Sequence, residues 1–135
     1  MEQQLLYMTS RLCHARLPWT QRSRVVGLST LLVLLPAMKR RMPPWKRVAL
    51  TMQAYVAYLS DYVYAGRPHV SHGIDRWMST MNAVVHAPRA IDKGYALVPI
   101  VCFYLSMEAV RLRHREAYEF WHSMWHVAAA AALTF

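Results

Sequence analysis

Apolar residues fall in blocks separated by short basic connectors, and these blocks set the expected architecture. An uncharged stretch covers residues 25–38, between Arg24 and Lys39-Arg40-Arg41. Pro43-Pro44 ends the connector and starts the next helix. A second block, 48–66, is rich in tyrosine and closes on the turn Gly66-Arg67-Pro68. The third, 69–88, has low hydropathy but a clear period: His72, Asp75, Ser79, Asn82 and His86 form one polar stripe at helical spacing. Ile74, Trp77, Met78, Met81, Val84 and Val85 fill its other faces. A fourth block covers 95–110, with a kink expected at Pro99, and the fifth begins near Tyr118 and runs through the alanines of 128–132. This pattern predicts an all-α chain. The blocks read as about five transmembrane helices of a polytopic membrane bundle over 25–135, with 1–24 as a basic N-terminal flank. Two blocks strain that reading. Residues 25–38 reach only about 21 Å of a roughly 30 Å hydrocarbon core unless Arg22 and Arg24 snorkel. The third block also suits a helix lying in the interface with its stripe toward water.

Composition points the same way. Apolar residues make up 56% of the 135 positions and charged ones 17%, with Gly at only 4 positions, so an integral, multi-pass location is expected. A net charge of +9 raises nucleic acid as a partner. The basic residues sit at the ends of apolar runs, however, and no basic face interleaved with aromatics occurs. Membrane lipid is therefore the expected partner and nucleic acid is not. Cys13 and Cys102 are not expected to pair. Arg11, Arg16, Arg22 and Arg24 fit either a targeting segment or simple flanks, and no cleavable secretory signal is expected.

Candidate chemistry concentrates in the last block. His122 and His126 are four apart, so they share a helix face, and no charge occurs from 120 to 135. Two stacked imidazoles in apolar surroundings call for a metal ion or an acid. The alternative is a pair of interfacial histidines beside Trp121 and Trp125. Asp61, inside the second block, is functional by default unless it is interfacial and pairs with Arg67. Glu108 serves the same site or pairs with Arg111. With alternating spans, Ser60, Asp61, Tyr64, Asp75, Glu108, His122 and His126 all map toward one membrane face. A proton or solute path along the third-block stripe is a further reading.

The segment His122-Ser123-Met124-Trp125-His126, followed by small apolar residues, resembles the last-helix signature of the CREST superfamily of membrane hydrolases, which includes alkaline ceramidases and the progestin and adipoQ receptors. That family also has a second-helix Ser-x-x-x-His and a third-helix Asp about a dozen residues later. Ser60-Asp61-Tyr62-Val63-Tyr64 and Asp75 stand in those places. The resemblance covers about half the chain and implies zinc-dependent hydrolysis of a lipid amide or ester bond. In that reading His122 and His126 hold zinc, while Ser60 and Asp75 act on the attacking water. Tyr64 stands where the first zinc histidine is expected, and a phenol that keeps its proton is a poor ligand. His72 is taken as its replacement, with His69 and an oxygen of Asp61 as alternatives. Fewer spans than the family's remain the second departure. The competing reading is non-enzymatic: a degenerate membrane protein or a partner-binding helical subunit, whose stripe seals helix contacts. Self-association fits either reading.

Overall fold

A computed structural model of the chain describes residues 13–14, 17–39 and 41–134. Residues 1–12 of the expected flank, Arg11 among them, and Arg16 lie outside the described residues. The described chain is all-α. Helix α1 is Arg24–Thr30, and Ser23 caps it by accepting from Val26 N–H at 3.4 Å. A 3₁₀ turn over Leu31–Val33 links it to the short α2, Leu34–Ala37. Helix α3, Pro44–Tyr58, begins with proline at its first position, where a missing N–H costs nothing. It continues into a π turn, Leu59–Val63, closed by Tyr64 N–H donating to Leu59 O at 2.9 Å. Helices α4 (Ser71–Asp92), α5 (Leu97–Arg111) and α6 (Arg115–Thr134) follow.

Helices α5 and α6 form the most extensive pairing, α1 lies against α6, and α3 bridges α1 and α2 to α4. The turn between α5 and α6 places Arg113 at φ 55°, the left-handed conformation that reverses the chain. Buried apolar residues gather in two small groups. Val33, Ala37, Leu50 and Ala54 form one, and Val26, Ala109 and Tyr118 the other. Leu17 and Trp19 pack on the second group, Trp19 edge-on to Tyr118 at 5.4 Å, so this part of the flank belongs to the bundle.

The expectation of a polytopic membrane bundle with about five transmembrane helices is corrected here, together with the integral multi-pass location. Among the described residues, no helix is long and apolar enough to cross a membrane. The most apolar helix, α5, has 15 residues and reaches about 22 Å against a core of roughly 30 Å. Helix α4 has 22 residues but carries Asp75, Arg76, Arg89 and Asp92. Helix α6 opens on Arg115, Glu116 and Glu119, and the first block is broken into α1, the 3₁₀ turn and α2. Blocks of apolar residues were present as read; uninterrupted apolar helices of spanning length were not.

One close approach positions the site. A Cβ on Gly27 of α1 would lie 2.7 Å from Tyr62 Cδ2 and 3.0 Å from its Cβ, so α1 presses directly on the π turn. Gly27→Ala should push the two apart, at about 1–3 kcal/mol of stability. Thermal denaturation reads that loss, and a variant as stable as the parent would show that the contact is slack.

Candidate metal centre

Asp61, His122 and His126 converge. Each offers one ligand atom, and the three atoms lie within 4.8 Å of one another. Asp61 Oδ2 is 3.1 Å from His122 Nε2 and 3.6 Å from His126 Nε2. The edge of a tetrahedron with ~2.1 Å metal–ligand bonds is ~3.4 Å, so these two separations suit ligands of one zinc ion, while the remaining separation, within the 4.8 Å bound, would have to close toward that edge on binding. The helical four-residue spacing puts the two imidazoles on one face, edge to face, with centroids 4.8 Å apart. The π turn supplies the third donor. Its wider winding breaks the α-helical register and lets the adjacent residues Ser60 and Asp61 both turn inward.

Ser29 Oγ lies 2.7 Å from Val26 O and 2.8 Å from His126 Nδ1. When the hydroxyl donates to Val26 O it accepts from Nδ1–H, the tautomer in which His126 Nε2 presents a lone pair. Ser106 repeats the device: its proton goes to Phe103 O at 2.7 Å, leaving it an acceptor for His122 Nδ1–H at 3.5 Å. His122 Nε2 is within hydrogen-bond distance of Asp61 Oδ2. His126 Nε2 stays buried with no hydrogen-bond partner. One cation among the three atoms would satisfy them all. Orientation of metal-ligating histidines through their second nitrogen is the usual supporting arrangement.

The electrostatics agree. Burial alone pushes the Asp61 carboxyl up, but the charge and hydrogen bond of His122, then the charge of His126 and last the Ser60 hydroxyl, hold it below the ordinary aspartate value. Burial, followed by the charge of His122, drives His126 down to about 3 against the opposing pull of Asp61. His126 is thus neutral across the physiological range.

The other expected site residues lie elsewhere. His72 has both ring nitrogens engaged: Nε2–H donates to Arg67 O at 2.7 Å, and Nδ1 is hydrogen-bonded with Ser60 Oγ at 2.9 Å. With no free nitrogen, it is not placed to ligate. Asp75 accepts from Gln53 Nε2 at 2.7 Å, on the seam between α3 and α4, and does not join the three-residue cluster. The same glutamine donates to Ser79 Oγ at 2.9 Å and accepts from Asn82 at 3.5 Å, so much of the stripe faces α3. Ser60 borders the cluster through Asp61. Tyr64 stacks on His69 at 3.5 Å, and Glu108 pairs with Arg111 at 2.7 Å.

Sequence reasoning held Asp61 as a reserve ligand and missed Ser29 and Ser106. An acid inside an apolar block was the available signal for the first. Nothing in the sequence distinguishes the two serines. Ser29→Ala should weaken zinc binding about 10–100-fold and cost about 1 kcal/mol of stability, as competition with a chromophoric chelator and thermal denaturation would show. Unchanged zinc affinity would remove Ser29 from the site. In comparisons with known proteins, no family model, no curated protein and no solved structure matches the chain.

Proposed function

We propose that the chain binds zinc through Asp61, His122 and His126 and uses it to hydrolyse an ester or amide bond, with a lipid as the substrate class. The observation that carries the metal is the orphaned His126 Nε2, facing a carboxylate oxygen at 3.6 Å, with Ser29 Oγ 2.8 Å from its Nδ1. The donor set, two imidazoles and one carboxylate, is that of catalytic rather than structural zinc, which takes four protein ligands. Zinc bound with three such ligands polarises a carbonyl and brings a water to a pKa of about 7. The choice of a lipid bond rests on the resemblance of the 122–126 motif to the CREST hydrolases.

The chain's own residues have limited roles in this reading. Asp61 neutralises one charge of the metal, and Ser29 and Ser106 hold the imidazoles in the ligating tautomer. Ser60, whose hydroxyl helps hold Asp61 ionised and lies 2.9 Å from His72 Nδ1, borders the cluster and can orient a polar group of the substrate. Asp75, occupied by Gln53, takes no part.

Burial of His122 and His126, which are 5% and 3% exposed, favours a second reading in which the ion only staples α6 to the π turn. Metal analysis of the purified chain, with assays on fatty-acyl esters and amides before and after chelation, separates the readings. Near-stoichiometric zinc with turnover lost on chelation supports hydrolysis. Zinc without turnover, but with a melting temperature that drops on chelation, supports the staple. Absence of zinc after incubation with the metal overturns both.

A further inference from the structure

A cavity of about 420 Å³ lies at the other end of the bundle, outside the metal cluster. Lys39 and Arg41 come to it from the connector before α3, Lys46 from the first turn of α3, and His86 and Arg89 from α4. Among the described residues, no acidic one lines it. Val85 and Leu133 give it an apolar wall. Leu133 is seven residues past His126, about 10 Å further along α6, so this is a separate place in the fold.

We propose that this cavity binds a phosphomonoester that carries an apolar chain. Clustered cations around a partly enclosed space suit an anion of more than one charge, and Arg supplies bidentate geometry for phosphate oxygens. The start of α3 adds to the field. No side chain caps it and no acid lies in its first turn, so its free N–H groups and positive dipole end face the connector without compensation. The cations also crowd one another. Burial, then the charges of Lys46 and Arg89, lower the proton affinity of His86, and a bound anion would relieve that repulsion. The wall formed by Val85 and Leu133 distinguishes an alkyl phosphate from phosphate alone, because each methylene it covers adds binding energy.

The test follows the His86 ring resonances of the full chain while inorganic phosphate, then hexyl phosphate, is added at fixed ionic strength with chloride as control. Both probes should shift them, hexyl phosphate at roughly tenfold lower concentration or less. The double variant Lys46→Gln, Arg89→Gln should lose at least about tenfold in binding. Arg89 is exposed and Lys46 half-buried, so the fold should persist, as circular dichroism would check. Vesicles of phosphatidylcholine with and without phosphatidic acid identify the source. Recruitment only with phosphatidic acid, lost in the double variant, assigns the site to a lipid headgroup. Hexyl phosphate binding without such recruitment assigns it to a free phosphomonoester. Two results overturn the proposal: no His86 shift with any probe, or equal shifts in the parent and the double variant. Neither depends on whether zinc binds at Asp61.

Discussion

Asp61→Asn is expected to abolish zinc binding while changing the stability of the apo chain little. The carboxylate is the single anionic donor among the three ligand atoms, and the amide that replaces it neither neutralises the metal nor ligates comparably. Two imidazoles alone hold a divalent ion weakly. The loss should therefore exceed the roughly 10–100-fold that removing a supporting hydrogen bond costs. In the apo chain two effects oppose. The attraction between the ionised carboxylate and His122 is lost, whereas His126 Nε2, which has no hydrogen-bond partner opposite Asp61, would face an N–H donor of the new amide. Satisfying a buried acceptor contributes about 1 kcal/mol. Zinc titration should therefore respond far more than chelator-treated melting curves, a pattern that simple misfolding would not produce. If the variant binds zinc as tightly as the parent, Asp61 is no ligand and the proposed function falls with it.

Much of the helical layout could be read from the sequence, because each apolar block supplied a helix within a few residues of its expected place. The polar stripe was legible for the same reason: His72, Asp75, Ser79 and Asn82 recur at helical spacing, and in the fold they meet Ser60 and Gln53 of the preceding segment. The membrane inference failed on length. It counted apolar residues by block, whereas spanning requires an unbroken apolar helix of about 20 residues, and α5 stops at 15. The site was half legible. The spacing of His122 and His126 put them on one face, but which acid they meet depended on the π turn, and no residue pattern in Leu59–Val63 announces that winding. With ordinary α-helical winding Ser60 and Asp61 would point about 100° apart and not both turn inward, so His72 and Asp75 look in the sequence like better partners than they are. Both are instead consumed by hydrogen bonds with the preceding segment, His72 to Ser60 and Arg67 and Asp75 to Gln53. Ser29 is ninety-seven positions from His126, a contact that only the packing of α1 on α6 reveals.

Acidification should unfold the metal-free chain well above the pH at which ordinary carboxylates titrate. His126 takes a proton at about 3 in the fold but at 6.5 when exposed. Below 6.5 the unfolded chain therefore binds a proton that the folded chain refuses, and folding stability falls as pH falls. The slope approaches roughly 1.4 kcal/mol per pH unit and acts over the window between the two values. By about pH 4 the loss is on the order of a few kcal/mol, a large share of the stability of a small domain. Asp61 acts in the same direction lower down: its depressed folded value makes a contribution that is complete above the ordinary 3.8 and disappears on going below it. Because the His126 effect arises from a buried ring that cannot charge, His126→Phe should flatten the curve between pH 6.5 and about 4. Bound zinc should also shift the parent's midpoint to lower pH, since an ion that binds only the folded chain opposes protonation by mass action. Urea melts at a series of pH values, with chelator or with zinc, measure all three curves. A chelated parent whose stability is level from pH 7 to about 4 would mean that His126 is charged or solvated in the fold, and the proton accounting that makes Nε2 a free donor would be wrong.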